Sequence, residues 1–541
     1  MWDVPGARGW RIPGPQTIPT VRYSLRVRRS PDTAPRSLRT ARSPRRWVAL
    51  GVLVTAMLLL SIDGTVLYLA VPALTRALSP TAEQILWVGD AYSLALVGAL
   101  VVAGTLADRV GRKRMLLIGV VAFGLASVLA AFAPTAGWLI AARALLGLSG
   151  ALIMPSTLAL IRNIFLDARE RTRAIAIWSA GFGVGAAIGP LVGGFLLEHF
   201  WWGSVFLINV PVMALVLVLG LWLLPESRDP QPGRFDILSA VLSMLTLVPL
   251  VYAVKHAVSA GFDGTITVCV VLGAAAGWWF VRRQRRLETP MIDVALFRIP
   301  AFTGAVVSNV VAIFALTGLL FFFSQYLQLV RGFRPLIAGL AELPTTIASM
   351  AVILLVGVLL ARLGRGRAIA TGFLLAAAGL GAVSLAVGAE NYLWLALALI
   401  PIGLGIGLAS TLTSDAIVSA APPEKAGSVS SVTETSYELG VVLGIAVLGS
   451  FVNFAYRLGL PDLGDLPAEQ AGRVRDSLAS AAATLDPSSP LLEEARHAFT
   501  AAISAGSLAA AVLSAIAAVI AWRLIPSSRE SADADASARA H

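Results

Sequence analysis

Apolar runs of about 20 residues, the length a helix needs to cross hydrocarbon, follow one another along this chain with only short polar breaks. Fourteen can be marked: 48–72, 84–106, 115–134, 138–161, 174–197, 204–224, 236–255, 265–282, 302–327, 336–360, 368–388, 393–418, 428–453 and 499–523. The breaks alternate in charge. Every second one is basic: Arg109 with Arg112, Lys113 and Arg114, then Arg162 to Arg173, Arg228 and Arg234, Arg282 to Arg286, and Arg362 to Arg367. The breaks between them are poorer, carrying Arg76, Glu198, Lys255, Arg331 with Arg334, or Glu390. Basic loops stay on the cytoplasmic side, so the pattern predicts an all-α integral membrane protein with fourteen transmembrane helices and both termini cytoplasmic. One missed span would scramble the alternation.

Composition supports this and removes other classes. Hydrophobic residues make up 57% of 541 and charged residues 13%, about half the charge of a soluble domain. The net charge of +11 would suit nucleic acid, but residues 1–46 alone hold eleven Arg against Asp3 and Asp32. That segment, rich in Pro and without an apolar run, is expected to be a disordered arm near anionic lipid. It lacks the apolar core and cleavage site of a secretory leader. Cys269 stands alone, no HExxH occurs among four histidines, and no lysine sits in a GxxxxGK[ST] loop. We therefore expect no enzyme, no metal, no cofactor and no nucleic-acid partner. The break at about 455–497 is long enough for short amphipathic helices outside the membrane, with a disordered connector as the alternative.

One basic loop is duplicated. Gly357–Arg367 aligns without gaps on Gly104–Arg114 at an offset of 253 residues, and Gly440–Gly444 echoes Gly185–Gly189. The repeat predicts two six-helix bundles, 47–226 and 298–525, with spans 7 and 8 inserted between them in 227–297, and a tail at 526–541. The second copy carries Ala361 where the first has Asp108.

Ionisable residues within spans are costly and usually face a cavity or a partner. They are Asp63, Asp90, Arg143, Glu342, Asp415, Glu434 and Glu438. At ~1.5 Å per residue, Asp63 lies past the middle of span 1. Asp90 and Arg143 lie some six residues from the outer ends of spans 2 and 4. Arg143 serves equally well as an ion-pair partner of Asp63 or as a substrate contact. Glu434 and Glu438, four apart, share one helix face. A buried carboxylate can hold a proton or exchange it for a cation. Gly181, Gly185, Gly189 and Gly193, with Pro190 beside them, form a small-residue stripe on span 5. Tight helix packing is the favoured reading, and a sliding surface between bundles is the sharper one.

These motifs resemble those of the drug:proton antiporters of the major facilitator superfamily, in particular the fourteen-span group of quaternary-ammonium exporters. The pieces are Ser61–Pro72, Gln84–Ser93, Gly104–Arg114, Arg143–Gly150, Gly181–Gly194, and Pro422–Gly427 with Glu434–Gly440. The resemblance implies the major facilitator fold. It implies proton and cation binding at Asp63, Asp90, Glu434, Glu438 and, by the same logic of a buried acid, Glu342, with Arg143 assisting proton movement. Asp108, Arg109, Gly111 and Arg112 would form a conformational latch, and Gly185, Gly189, Pro190 and Gly193 the antiporter motif. In the span-1 motif Ser61–Pro72, Tyr68 stands where the family usually has Asn. The implied protein is a monomeric exporter of lipophilic, often cationic compounds in a bacterial-type cell membrane, driven by protons. A dedicated exporter of one neutral or anionic antibiotic keeps the same fold. A receptor or scaffold without transport leaves the buried acids unexplained.

Overall fold

The computed structural model describes residues 45–228, 236–259, 263–287, 290, 292–419, 426–464 and 466–527. The segment Pro422–Lys425 and most of both tails lie outside them. Helices dominate, because a chain in hydrocarbon must satisfy every backbone group internally. We number the spans α1 Arg45–Leu78, α2 Ala82–Val110, α3 Arg112–Ala131, α4 Ala136–Ile164, α5 Ala168–His199 and α6 Ser204–Leu223. The pair α7 Ile237–Ser259 and α8 Gly264–Gln284 follows. Then come α9 Pro300–Leu329, α10 Pro335–Ala351 with Ile353–Leu363, α11 Arg365–Ala386 and α12 Tyr392–Ser419. Last are α13, which runs from Ala426 to Gly459 through a π-helical turn at Gly444–Leu448, and α14 Pro490–Leu524. Among the described residues twelve helices are long and apolar enough to span a membrane, and α2 and α10 qualify as bent pairs.

Buried side chains fall into two main cores. One is drawn wholly from residues 49–224. The other is drawn mainly from 296–525, with Tyr68, Leu69, Val71, Ile85 and Leu86 reaching in from α1 and α2. The duplicated loop belongs to a duplicated unit: α2 and α10 start, and end, 253 residues apart. They bend by 50° and 54° at matching positions. Each terminates at a glycine with positive φ, Gly111 at 126° and Gly364 at 74°, where a Cβ would be strained. Each of these glycines abuts the segment after the last helix of its own half. Arg112 N–H donates to Ser227 O at 2.9 Å, and Arg367 N–H to Ser527 Oγ at 3.0 Å.

The α7–α8 hairpin is clamped at both ends. Arg283 pairs with Asp236 at 2.9 Å and Gln284 donates to Ser239 Oγ at 2.7 Å. At the other end His256 lies 3.1 Å from Asp263, the N-cap of α8. The hairpin packs on the rest of the protein through α7, which meets α2 and α13 in a small apolar seam of Leu94, Val251, Val442 and Ala446. The structure corrects the expected end of span 7. Lys255 is not a loop residue but a buried one inside α7. Two short helices, Ala468–Asp476 and Leu478–Thr484, lie between α13 and α14. Asp476 accepts a hydrogen bond from Ala82 N–H at 2.9 Å, so this segment caps the start of α2.

Candidate functional site

Three polar clusters hold Asp63 with Arg143, Asp90 and Glu342. In the first, Asp63 of α1 is fully buried and saturated. Arg143 Nη1 of α4 lies 2.8 Å from Asp63 Oδ2, and Asn209 Nδ2 of α6 lies 2.7 Å from Oδ1. Asn209 also donates to Ser127 Oγ at 3.1 Å, Arg143 Nε to Val88 O at 3.2 Å, and the guanidinium stands 4.8 Å from the Tyr92 ring centroid. Such a pair is tolerable in a dry interior because nearly every donor and acceptor has a partner. In the second, Asp90 turns toward α7, where Lys255 Nζ lies 2.6 Å from Oδ2. In the third, Glu342 of α10 is buried and in no ion pair among the described residues. Its surroundings include Ser324 of α9 and Tyr392 of α12.

Between the halves, at mid-height, lies a cavity of about 310 Å³, within the range that holds drug-sized ligands. Both halves contribute to its wall. Tyr68, Tyr92 and Phe182 come from the first, and Tyr437, Glu438 and Thr345 from the second. Phe182 and Tyr437 meet edge-on at 6.0 Å across the gap, and Tyr68 packs edge-on against Phe321 at 5.8 Å. Arg143 reaches the wall with its charge already matched by Asp63. Glu438 reaches it from α13, close to Ser93 of α2, and is in no ion pair among the described residues. Glu434, one turn away, is half-buried and outside the lining. Thus, among the described residues, Glu438 is the carboxylate on the cavity wall, whereas Asp63, Asp90 and Glu342 stand outside the lining.

Described contacts between the halves gather toward the face opposite the basic loops. Arg334 pairs with Glu198 at 2.8 Å, Gln328 Nε2 donates to Leu69 O at 3.0 Å, and Gly339 packs under the Pro190 carbonyl. The glycine stripe has another partner. Gly181, Gly185, Gly189 and Gly193 face Val54, Leu58 O, Thr65 and Val66 of α1, within the first half. The other side of α5 meets α10, where Gly194 abuts Pro335 and Leu336 and the Pro190 carbonyl abuts Gly339. At the basic loop Asp108 pairs with Arg112 at 2.9 Å, and Glu226 closes over Gly111 and accepts from Lys113 N–H at 3.2 Å. Arg109 is exposed on the last turn of α2. The second copy lacks the aspartate, and Arg365 instead pairs with Asp415 of α12 at 2.8 Å.

Sequence reasoning missed Asn209, Lys255 and Glu226. A lone Asn at the start of an apolar run, and a Lys and a Glu near span ends, raise no hydropathy signal. The repeat could have pointed to Glu226, because both copies of the loop must dock on the segment after their last helix.

Two halves around an aromatic-lined, acid-bearing cavity define a membrane transporter. Residues 53–445 match the Major Facilitator Superfamily, and the chain belongs to that family. It is 44% identical to the multidrug efflux pump LfrA of Mycolicibacterium smegmatis over 89% of this chain and 97% of that protein. It is 37% identical to the methyl viologen resistance protein SmvA of Salmonella typhimurium over 86% and 96%. The puromycin resistance protein of Streptomyces alboniger is 34% identical over 92% and 94%. The fold is shared with a bacterial homologue of the lysosomal transporter Spinster in an inward-facing, unoccupied conformation, with a TM-score of 0.63, 18% identity and coverage of 89% and 97%.

Proposed function

We propose that this protein is a proton-coupled antiporter that exports lipophilic, often cationic compounds by alternating access, with Glu438 as the group for which cargo and proton compete. The observation that carries the reading is the position of Glu438. It lies on an aromatic-lined cavity where the one cation among the described lining residues, Arg143, is already paired with Asp63. Tyrosine and phenylalanine faces attract a soft cation, and the ionised carboxylate supplies its counter-charge. Protonation of Glu438 removes that counter-charge and releases the cargo. A proton entering as a monovalent cation leaves keeps the cavity's net charge unchanged through the cycle. The similarity to pumps and resistance proteins named for multidrugs, methyl viologen and puromycin supports export of such compounds.

In this reading the basic loops are cytoplasmic, and the contacts through Glu198, Arg334 and Pro190 close the outer face. The cavity would then be offered to the cytoplasm. The Asp108 loop, held here by partners in its own half, would exchange them for the other half when the basic face closes. The test is ethidium efflux from energised vesicles with and without an uncoupler. Uncoupler-sensitive efflux that is lost in Glu438→Gln supports the mechanism. Efflux that ignores both changes sinks it. A dedicated exporter of a neutral antibiotic would keep transport in Glu438→Gln.

A further inference from the structure

Lys255 and Asp90 play no part in the cavity, yet they form a fully enclosed ion pair, each side chain 0% accessible. The ammonium lies 2.6 Å from Asp90 Oδ2 and 4.0 Å from the centroid of the Trp87 ring. Tyr252, one turn earlier on α7, sets its own ring against Trp87 at 6.4 Å. Among the described residues neither Asp90 oxygen nor Lys255 Nζ has a hydrogen-bond partner of ordinary geometry, so the contact is a close ion pair. The contrast with Asp63 is in the source of the counter-charge. Asp63 takes its cation and its amide from α4 and α6 of its own half, whereas Asp90 takes its cation from the inserted pair.

A carboxylate and an aromatic face closing on one cation is how proteins hold ammonium ligands. We propose that Asp90 and Trp87 of α2 form a primary-ammonium site whose resident ligand is the chain's own Lys255, and that this internal ligation fixes the α7–α8 pair to the first half. The site takes a primary rather than a quaternary ammonium. At 2.6 Å the nitrogen lies closer to the carboxylate than an N-methyl group in between would allow, so methyl groups on the nitrogen would hold the charge away. Removing one partner leaves a buried charge alone, whereas replacing both by neutral groups of similar shape is tolerated.

Lys255→Ala removes three methylenes and the ammonium, the outline of n-propylammonium. Thermal unfolding of the full-length purified protein is followed while n-propylammonium chloride is titrated, with tetramethylammonium chloride at equal ionic strength as control. The native protein should respond equally to both salts. Lys255→Ala should melt several degrees lower and recover saturably with n-propylammonium alone. Lys255→Ala/Asp90→Asn should not discriminate between the salts. Equal or absent responses in Lys255→Ala, or discrimination that persists without the Asp90 carboxylate, overturn the proposal. If Lys255→Ala does not fold, Lys255→Met/Asp90→Asn decides. Recovery of folded protein supports ligation of charge, and failure of this neutral pair means the contact is steric packing alone.

Discussion

Replacing Glu438 by Gln keeps the side chain's shape and its reach toward Ser93 while removing the charge. A monovalent cation held about 4 Å from the carboxylate, at an effective dielectric of about 20, gains about 4 kcal/mol. Stripping water from both charges offsets roughly half of that. The variant should therefore lose about 2 kcal/mol, near 30-fold in affinity for a cationic dye. Binding should not vanish, because Tyr437 and Phe182 still line the cavity and a cation over an aromatic face retains about 1 kcal/mol. Two readouts on purified protein test this. Ethidium anisotropy gives the affinity. A pH indicator in weak buffer gives the proton displaced as the dye binds, expected in the native protein and absent in Glu438→Gln. An affinity within threefold of native, or undiminished proton release, would refute the assignment of Glu438 and move attention to Glu434 or Glu342.

The other predictions concern the frame around the cavity. Asp63→Asn strands the Arg143 guanidinium in a dry interior, which should cost about 3–5 kcal/mol and sharply reduce folded yield in a fluorescence size-exclusion assay. Asn209→Ala should cost about 1–3 kcal/mol by the same measure. Gly185→Ala points a methyl at the Leu58 carbonyl, a backbone atom that cannot rotate away, whereas Gly183→Ala meets nothing within 4 Å. The first should lower the melting temperature, since overpacking costs about 1–3 kcal/mol, and the second should leave it near native. Burial raises the Asp236 carboxyl, but hydrogen bonds from Ser239 and Arg283 outweigh it and set the group below its usual 3.8. A lowered acid stabilises the fold above its unfolded value and loses that stabilisation as pH falls through the folded one. Hydrogen exchange in α7 and α8 should therefore quicken below pH 3.8, and Asp236→Asn should show the quicker exchange already at neutral pH.

Much of this arrangement can be read from the chain, because a bilayer imposes length and polarity on every span. The positions of the acids follow from the rule that charge in hydrocarbon must have a use. What pattern does not reveal is which way each acid faces. Asp63, Asp90 and Glu438 look equivalent as isolated polar letters in apolar runs. Their partners separate them: Arg143 and Asn209 for the first, Lys255 for the second, the open cavity for the third. Lys255 is the clearest case. At the edge of an apolar run it reads as a residue at the water interface, and only the packing of α7 against α2 turns it inward. The bends in α2 and α10 are equally silent, for neither break coincides with a proline. The glycine stripe shows the converse, a pattern that is plain in the sequence while its partner helix is not.

The clamp between Asp236 and Arg283 brings the start of α7 and the end of α8 to one point in space. A hairpin that leaves and returns at the same place can be gained or lost without rerouting the helices on either side. Because it contributes an even number of crossings, the half that follows keeps its direction through the membrane. The geometry of the clamp therefore lets the α7–α8 pair be treated as a self-contained unit set between α6 and α9. What its removal would leave behind is Asp90, so a chain lacking the pair must carry a neutral residue at that place or find the acid another cation.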